Sequence, residues 1–223
     1  MKKNRLSKAR QWIFPLSLTA LFGCLQPTSA TELAVSSQSR EEARNLFNTV
    51  YQASENVSIG WTGNVAQCKP GTTSQAYRDA VALRINYFRA MAGVPANITL
   101  NSEFNGKAQQ AALMMSANGT ISHSPTSDWT CYTAEGLEGA QKSNLALYKT
   151  GPDAINTYVK ASGSGNYFVG HRRGMLYPKR LDMGTGDVIA SGYPSTNALW
   201  IFGSTSPTRT ARDDFVAWPP QGY

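Results

Sequence analysis

The chain predicts an α+β fold, an α-β-α sandwich in which helices flank a small antiparallel sheet. Apolar side chains recur at helical spacing through its first half, and a pair of short β-rich runs separated by a turn follows in the second. Composition agrees with a single core: 223 residues are 41% hydrophobic and 16% charged, with 19 Gly and 11 Pro.

Taken in chain order, residues 39–54 set Leu46, Phe47, Val50 and Tyr51 against the charges Arg40, Glu41, Glu42 and Arg44, the pattern of a short amphipathic helix. Residues 60–71 are rich in Gly, Thr and Asn and read as a loop. The main helix is expected over 74–93, where Tyr77, Val81, Ile85, Phe88 and Ala92 share a face, Thr73 or Ser74 caps the start and Gly93 ends it. A second runs over 102–117, capped by Asn101 or Ser102, with the small inner residues Ala108, Ala111 and Ala112 asking for close packing, and stops at Asn118-Gly119. Pro152 opens a third helix through Ala161, broken by the Gly/Ser stretch 162–165. Residues 187–191 and 198–202 then read as strands joined in a hairpin through 192–197. The end, Phe215-Val-Ala-Trp-Pro-Pro-Gln-Gly-Tyr223, is expected to be an extended tail with exposed aromatics, either cut short or reaching for a partner.

Charge separates the first thirty residues from the rest. The net +7 draws five cations from Lys2, Lys3, Arg5, Lys8 and Arg10, and no acid precedes Glu32. From residue 31 onward 16 basic residues face 14 acidic ones, too balanced for a nucleic-acid footprint. The basic start, the apolar run 12–25 and the small residues Thr28 and Ala30 are the layout of a secretory signal peptide over residues 1–30, and the run is too short to span a bilayer. Leu21-Phe22-Gly23-Cys24 also resembles a bacterial lipobox, which gives the alternative of a lipid anchor at the cell envelope through Cys24. The domain plan is then a leader 1–30, an N-terminal helix and linker 31–71, a main domain 72–205 and a tail 206–223.

Removing Cys24 with the leader leaves Cys68 and Cys131, an even pair in an oxidising compartment. They are expected to be bridged, the alternative being two buried thiols.

Only two histidines are present, His123 in Ile-Ser-His-Ser-Pro125 and His171 in Gly-His-Arg-Arg-Gly-Met-Leu176. Forty-eight positions apart, they have no local ligand spacing, which favours two unrelated surface or packing residues; the sharper reading makes them partners at one cleft, where imidazoles hold a metal or move protons. No His-Glu-x-x-His, Gly-x-Ser-x-Gly or Gly-rich phosphate loop occurs.

Three segments resemble the CAP superfamily, the proteins related to cysteine-rich secretory protein, antigen 5 and pathogenesis-related 1, in its bacterial single-domain form. They are Arg84-Ile-Asn-Tyr-Phe-Arg-Ala-Met-Ala-Gly-Val-Pro95, the helix from Leu100 leading to His123-Ser-Pro125, and Gly170-His-Arg-Arg-Gly-Met-Leu176. The resemblance implies the α-β-α sandwich and an open groove with two histidines and two glutamates. His123 and His171 fall on the histidine positions. The family's Gly-Glu-Asn aligns with Lys142-Ser143-Asn144, so Ser143 stands where the first carboxylate belongs, and no acid occurs between residues 155 and 169 for the second. Glu135, Glu138 and Asp128 read as solvated loop charges. The expected groove set is therefore His123 and His171 with Ser143, Asn144 and Arg172 beside them, with no catalytic residue and no cofactor, zinc belonging only to the alternative below.

The expected function is that of a secreted, non-catalytic protein of this kind, whose groove binds a small apolar or lipid-like ligand, an anionic one, or an extracellular protein. The alternatives are a metal-dependent hydrolase using both histidines and a cell-envelope adhesion module. Nucleic acid is not an expected partner, and no transmembrane segment is expected after the leader.

Overall fold

A computed structural model describes residues 32–36, 38–163, 167–220 and 222. The expected leader 1–30, with Cys24, and part of the expected break at 162–165 lie outside the described residues.

Helix α1 (Arg40–Leu46) continues through a π turn, Phe47–Tyr51, and a 3-10 turn, Gln52–Ser54. The expected amphipathic segment is thus helical throughout, with changing pitch. Helix α2 (Gln75–Met91) starts at Ser74, whose hydroxyl accepts from the Tyr77 amide. Strand β1 (Thr99–Leu100) leads to α3 (Ser102–Asn118), capped by Asn101 and ended by Gly119 at φ +66°, the left-handed conformation that glycine adopts without a Cβ penalty. Then come α4 (Ala134–Gln141), β2 (Ser143–Leu147), α5 (Gly151–Lys160), α6 (Gly170–Met175), β3 (Asp182–Val188) and β4 (Thr196–Trp200).

The sheet order is β1-β3-β4-β2. The hairpin is present as β3 and β4, but β3 begins five residues earlier than expected, at Asp182, and β4 spans 196–200 rather than 198–202. The middle of the sheet is antiparallel, while β1 joins β3 in parallel through Thr99 and Leu100. Helices α3 and α4 cover one face, with Ala108, Ala111, Ala112 and Leu113 packed on Leu145, Val188 and Ala198. Helices α2, α5 and α6 cover the other, where Val81, Ile85, Ile155, Tyr158 and Met175 meet Ala146, Met183 and Leu199.

Gly184 and Gly186 decide how close α3 comes. A Cβ on Gly184 would stand 2.5 Å from the Phe104 backbone, and one on Gly186 2.1 Å from the Gln109 amide nitrogen, so helix and strand backbones touch where a side chain would hold them apart. Cys68 and Cys131 are joined in a disulfide, which ties the 60–71 loop to the segment ahead of α4.

The tail departs from expectation in one respect. Phe215 is exposed, but Trp218 packs edge-on against Phe88 of α2 at 5.3 Å and is partly buried. Arg212 ties the same stretch back, its amide donating to the Gly93 carbonyl at 2.7 Å and its guanidinium to that of Val35.

Candidate functional site

Strand β2 is an edge strand, and its N-terminal end lies between the end of α4 and the start of α6. A groove of about 470 Å³ opens there. His123, Gln141, Ser143, Asn144 and His171 supply its polar walls, and Ala161, Phe168, Ile201 and Phe202 its apolar ones. The two histidines, distant in sequence, therefore share one hollow, and both are exposed to solvent.

His123 is held by α4. Its Nδ1 lies 2.8 Å from the Ala140 carbonyl oxygen, which can only accept, so Nδ1 carries the proton and Nε2 of the neutral ring keeps its lone pair. His171 sits in the first turn of α6, and Asn144 Nδ2 donates to its carbonyl at 3.1 Å. Its ring lies against Tyr158 of α5, with centroids 5.4 Å apart. Desolvation on that side, and then the nearness of His123, hold the His171 pKa below the ordinary histidine value, although solvent reaches the outer side of the ring.

Beneath Tyr158 runs a buried polar chain. The phenol donates to Asn197 Oδ1 at 2.8 Å, and Asn197 Nδ2 donates to Asp187 Oδ1 at 2.8 Å. Asp187 is fully buried, and it also accepts from the Gly151 amide at 2.6 Å and the Thr185 hydroxyl at 3.0 Å. Burial outweighs those donors, so the carboxyl is pushed up to about 6, and the Tyr158 phenol is raised by its own burial and then by Asp187. The far end of α6 is fixed by Arg89, wholly buried, which donates to the carbonyls of Pro95 and Met175 at 2.8 Å and of Tyr177 at 3.1 Å. Burial, and then the charges of Arg209 and Arg180, bring its pKa down to about 9, which leaves it charged at neutral pH.

Ser143 and Asn144 lie in the groove as the alignment expects, and Ser143 Oγ is buried with no hydrogen-bond partner among the described residues. Arg172 lies on the next face of α6. It donates to the Val159 carbonyl at 3.0 Å and lines a neighbouring hollow of about 390 Å³ with Arg173, Tyr177 and Trp218. Glu138 is paired with Lys107 at 2.9 Å, and neither Glu135 nor Asp128 lines the groove. Sequence reasoning missed Tyr158, Asn197, Asp187 and Arg89. One signal was available: Asp187 is the only carboxylate in a run that otherwise reads as a strand, and such a residue is buried only with partners.

The donor set does not fit zinc. A tetrahedral zinc centre takes about four donors, usually three from protein even when one position stays open. The groove offers two imidazoles, a hydroxyl where a carboxylate is expected, and no acid in its walls. Among the described residues no three His, Cys, Asp or Glu side chains converge to hold a metal ion. Nor is any helix among them long and apolar enough to cross a membrane.

A family model described as "CAP: Cysteine-rich secretory protein family" matches residues 83–202, a stretch that runs from the middle of α2 past the end of β4 and includes both histidines. No curated protein matches the chain.

Proposed function

Because the chain belongs to the CAP, or cysteine-rich secretory protein, family, we propose that it is an exported, non-catalytic member whose groove takes up a small apolar or anionic ligand, or part of an outside protein, without a metal. One observation carries the reading: two accessible imidazoles meet in a hollow whose walls hold no carboxylate. No carboxylate stands there to orient an imidazole or activate water: His123 Nδ1 is held by the Ala140 carbonyl, the His171 ring lies against Tyr158, and the other polar side chains of the groove are the amides of Gln141 and Asn144 and the hydroxyls of Ser143 and Ser162. Such a set suits recognition, with apolar walls taking the body of a ligand and neutral donors fixing its orientation. Export is supported by the leader-like composition of residues 1–30 and by the Cys68–Cys131 bridge.

The test is the metal content of the purified, oxidised protein, followed by a hydrolase screen on wild type and the His123→Ala, His171→Ala double variant. The expected result is substoichiometric zinc and no hydrolysis that the double variant abolishes. The metal-dependent hydrolase reading has one point in its favour, the His123 tautomer that leaves Nε2 free. Stoichiometric zinc, with an activity that disappears in the double variant, would establish it and overturn the first reading.

A further inference from the structure

The near balance of charge along the chain conceals a polarised one. Residues 141–181 carry seven Lys and Arg and a single acid, Asp153, whereas the rest of the chain from residue 31 carries nine basic and thirteen acidic residues. This cationic segment builds most of the groove rim. Lys142 stands between the groove residues Gln141 and Ser143, and Lys160 ends α5 beside the groove residue Ala161, whereas Arg173 lines the neighbouring hollow with Arg172. Lys142, Lys160 and Arg173 are exposed, and among the described residues none of them makes an ion pair. The nearest acid on α4, Glu138, is already paired with Lys107, and Asp187 is sealed beneath the sheet.

The same segment, and Phe202 just after β4, also expose large apolar side chains. Tyr167 is 85% exposed, Phe168 63% and Phe202 58%, and the Tyr167 and Phe168 rings meet edge to face at 4.5 Å. Phe168 and Phe202 form the lip of the groove itself. Aromatic side chains at the surface with uncompensated cations around them suit a boundary that is apolar below and anionic at its rim. A dissolved polyanion would neutralise the cations and leave the aromatic rings in water.

We propose that the groove-bearing face docks on an anionic phospholipid bilayer, with Tyr167, Phe168 and Phe202 entering the headgroup layer and Lys142 and Lys160 meeting the lipid phosphates. The contact is peripheral and does not depend on what the groove itself holds.

The test is co-sedimentation of the protein, expressed without residues 1–30, with vesicles of phosphatidylcholine alone or mixed equally with phosphatidylglycerol. Binding is expected only to the mixed vesicles and is expected to weaken as salt shortens the screening length. Each cation near an anionic leaflet raises partitioning about fivefold, so the K142E, K160E double variant, which removes two cations and adds two anions, is expected to lose binding by about 25-fold or more. Phe168→Ser with Phe202→Ser is expected to lower it by about tenfold or more. The lipid comparison and the salt series need no variant, so they decide the matter even if a substitution impairs folding. Equal binding to both vesicle types, none to either, undiminished binding of the double charge variant, or capture by soluble dextran sulfate without vesicle binding would each overturn the proposal.

Discussion

Replacing Asp187 by Asn is expected to stabilise the protein at neutral pH and leave it almost unchanged in acid. The carboxyl is wholly buried, and its pKa rises from the ordinary 3.8 to about 6 on folding, because desolvation outweighs the donors from Gly151, Asn197 and Thr185. Below pH 3.8 the folded and unfolded states both hold the proton, and the group costs nothing. Between 3.8 and about 6 the unfolded chain releases it while the fold retains it, so stability falls as pH rises. Above that window the ionised carboxylate costs the fold about 3 kcal/mol, at about 1.4 kcal/mol for each pH unit. Asparagine imitates the protonated acid. Its oxygen keeps the amide donors of Gly151 and Asn197, and its NH2 faces the Thr185 hydroxyl, which can accept. Urea unfolding followed by tryptophan fluorescence, with the disulfide intact, gives the stability of both proteins across this range. The difference, variant minus wild type, is expected to climb from near zero at low pH to about 3 kcal/mol at neutrality, equivalent to about 6–12 °C in melting temperature. A difference that stays flat or falls with pH would mean that Asp187 is a stabilised anion, and the argument from burial would fail.

Other outcomes follow from the same geometry. In an NMR titration of the imidazole protons, His171 is expected to titrate below the ordinary value, and His123→Ala to move it upward by removing a neighbouring charge. Its stabilising contribution is therefore full above the ordinary histidine pKa and is lost as pH falls toward the lowered one. Arg89→Met is expected to cost about 3–5 kcal/mol in denaturant unfolding, because it leaves the buried carbonyls at the end of α6 without a donor, and Arg89→Lys is expected to recover little of it. Replacing both Cys68 and Cys131, 63 residues apart, is expected to lower stability by about 4 kcal/mol in the same assay, with the loss arising in the unfolded chain.

Helices α2 and α3 could be read from the chain because their information is local. Apolar residues recur every turn, a capping side chain precedes each, and the observed ends fall within two residues of expectation. Strand β2 escaped notice because Ser143-Asn144-Leu-Ala-Leu147 has little strand character of its own and becomes a strand by pairing with β4. Helix α4 holds two glycines in eight residues and depends on α3 for support, Gly139 lying against the Lys107 carbonyl. The site divides in the same way. Scarcity and the family resemblance pointed to His123 and His171, whereas Tyr158, Asn197 and Asp187 belong to separate elements and become a unit only once the sheet brings them into line. The cationic segment was visible in the sequence but was hidden by summing charge over all of residues 31–223.

The glycines of β3 have a further effect. With no methyl group between Gly184, Gly186 and the backbone of α3, the spacing of helix and strand is set by main chain alone, so a side chain gained at either position would lift α3 off the sheet.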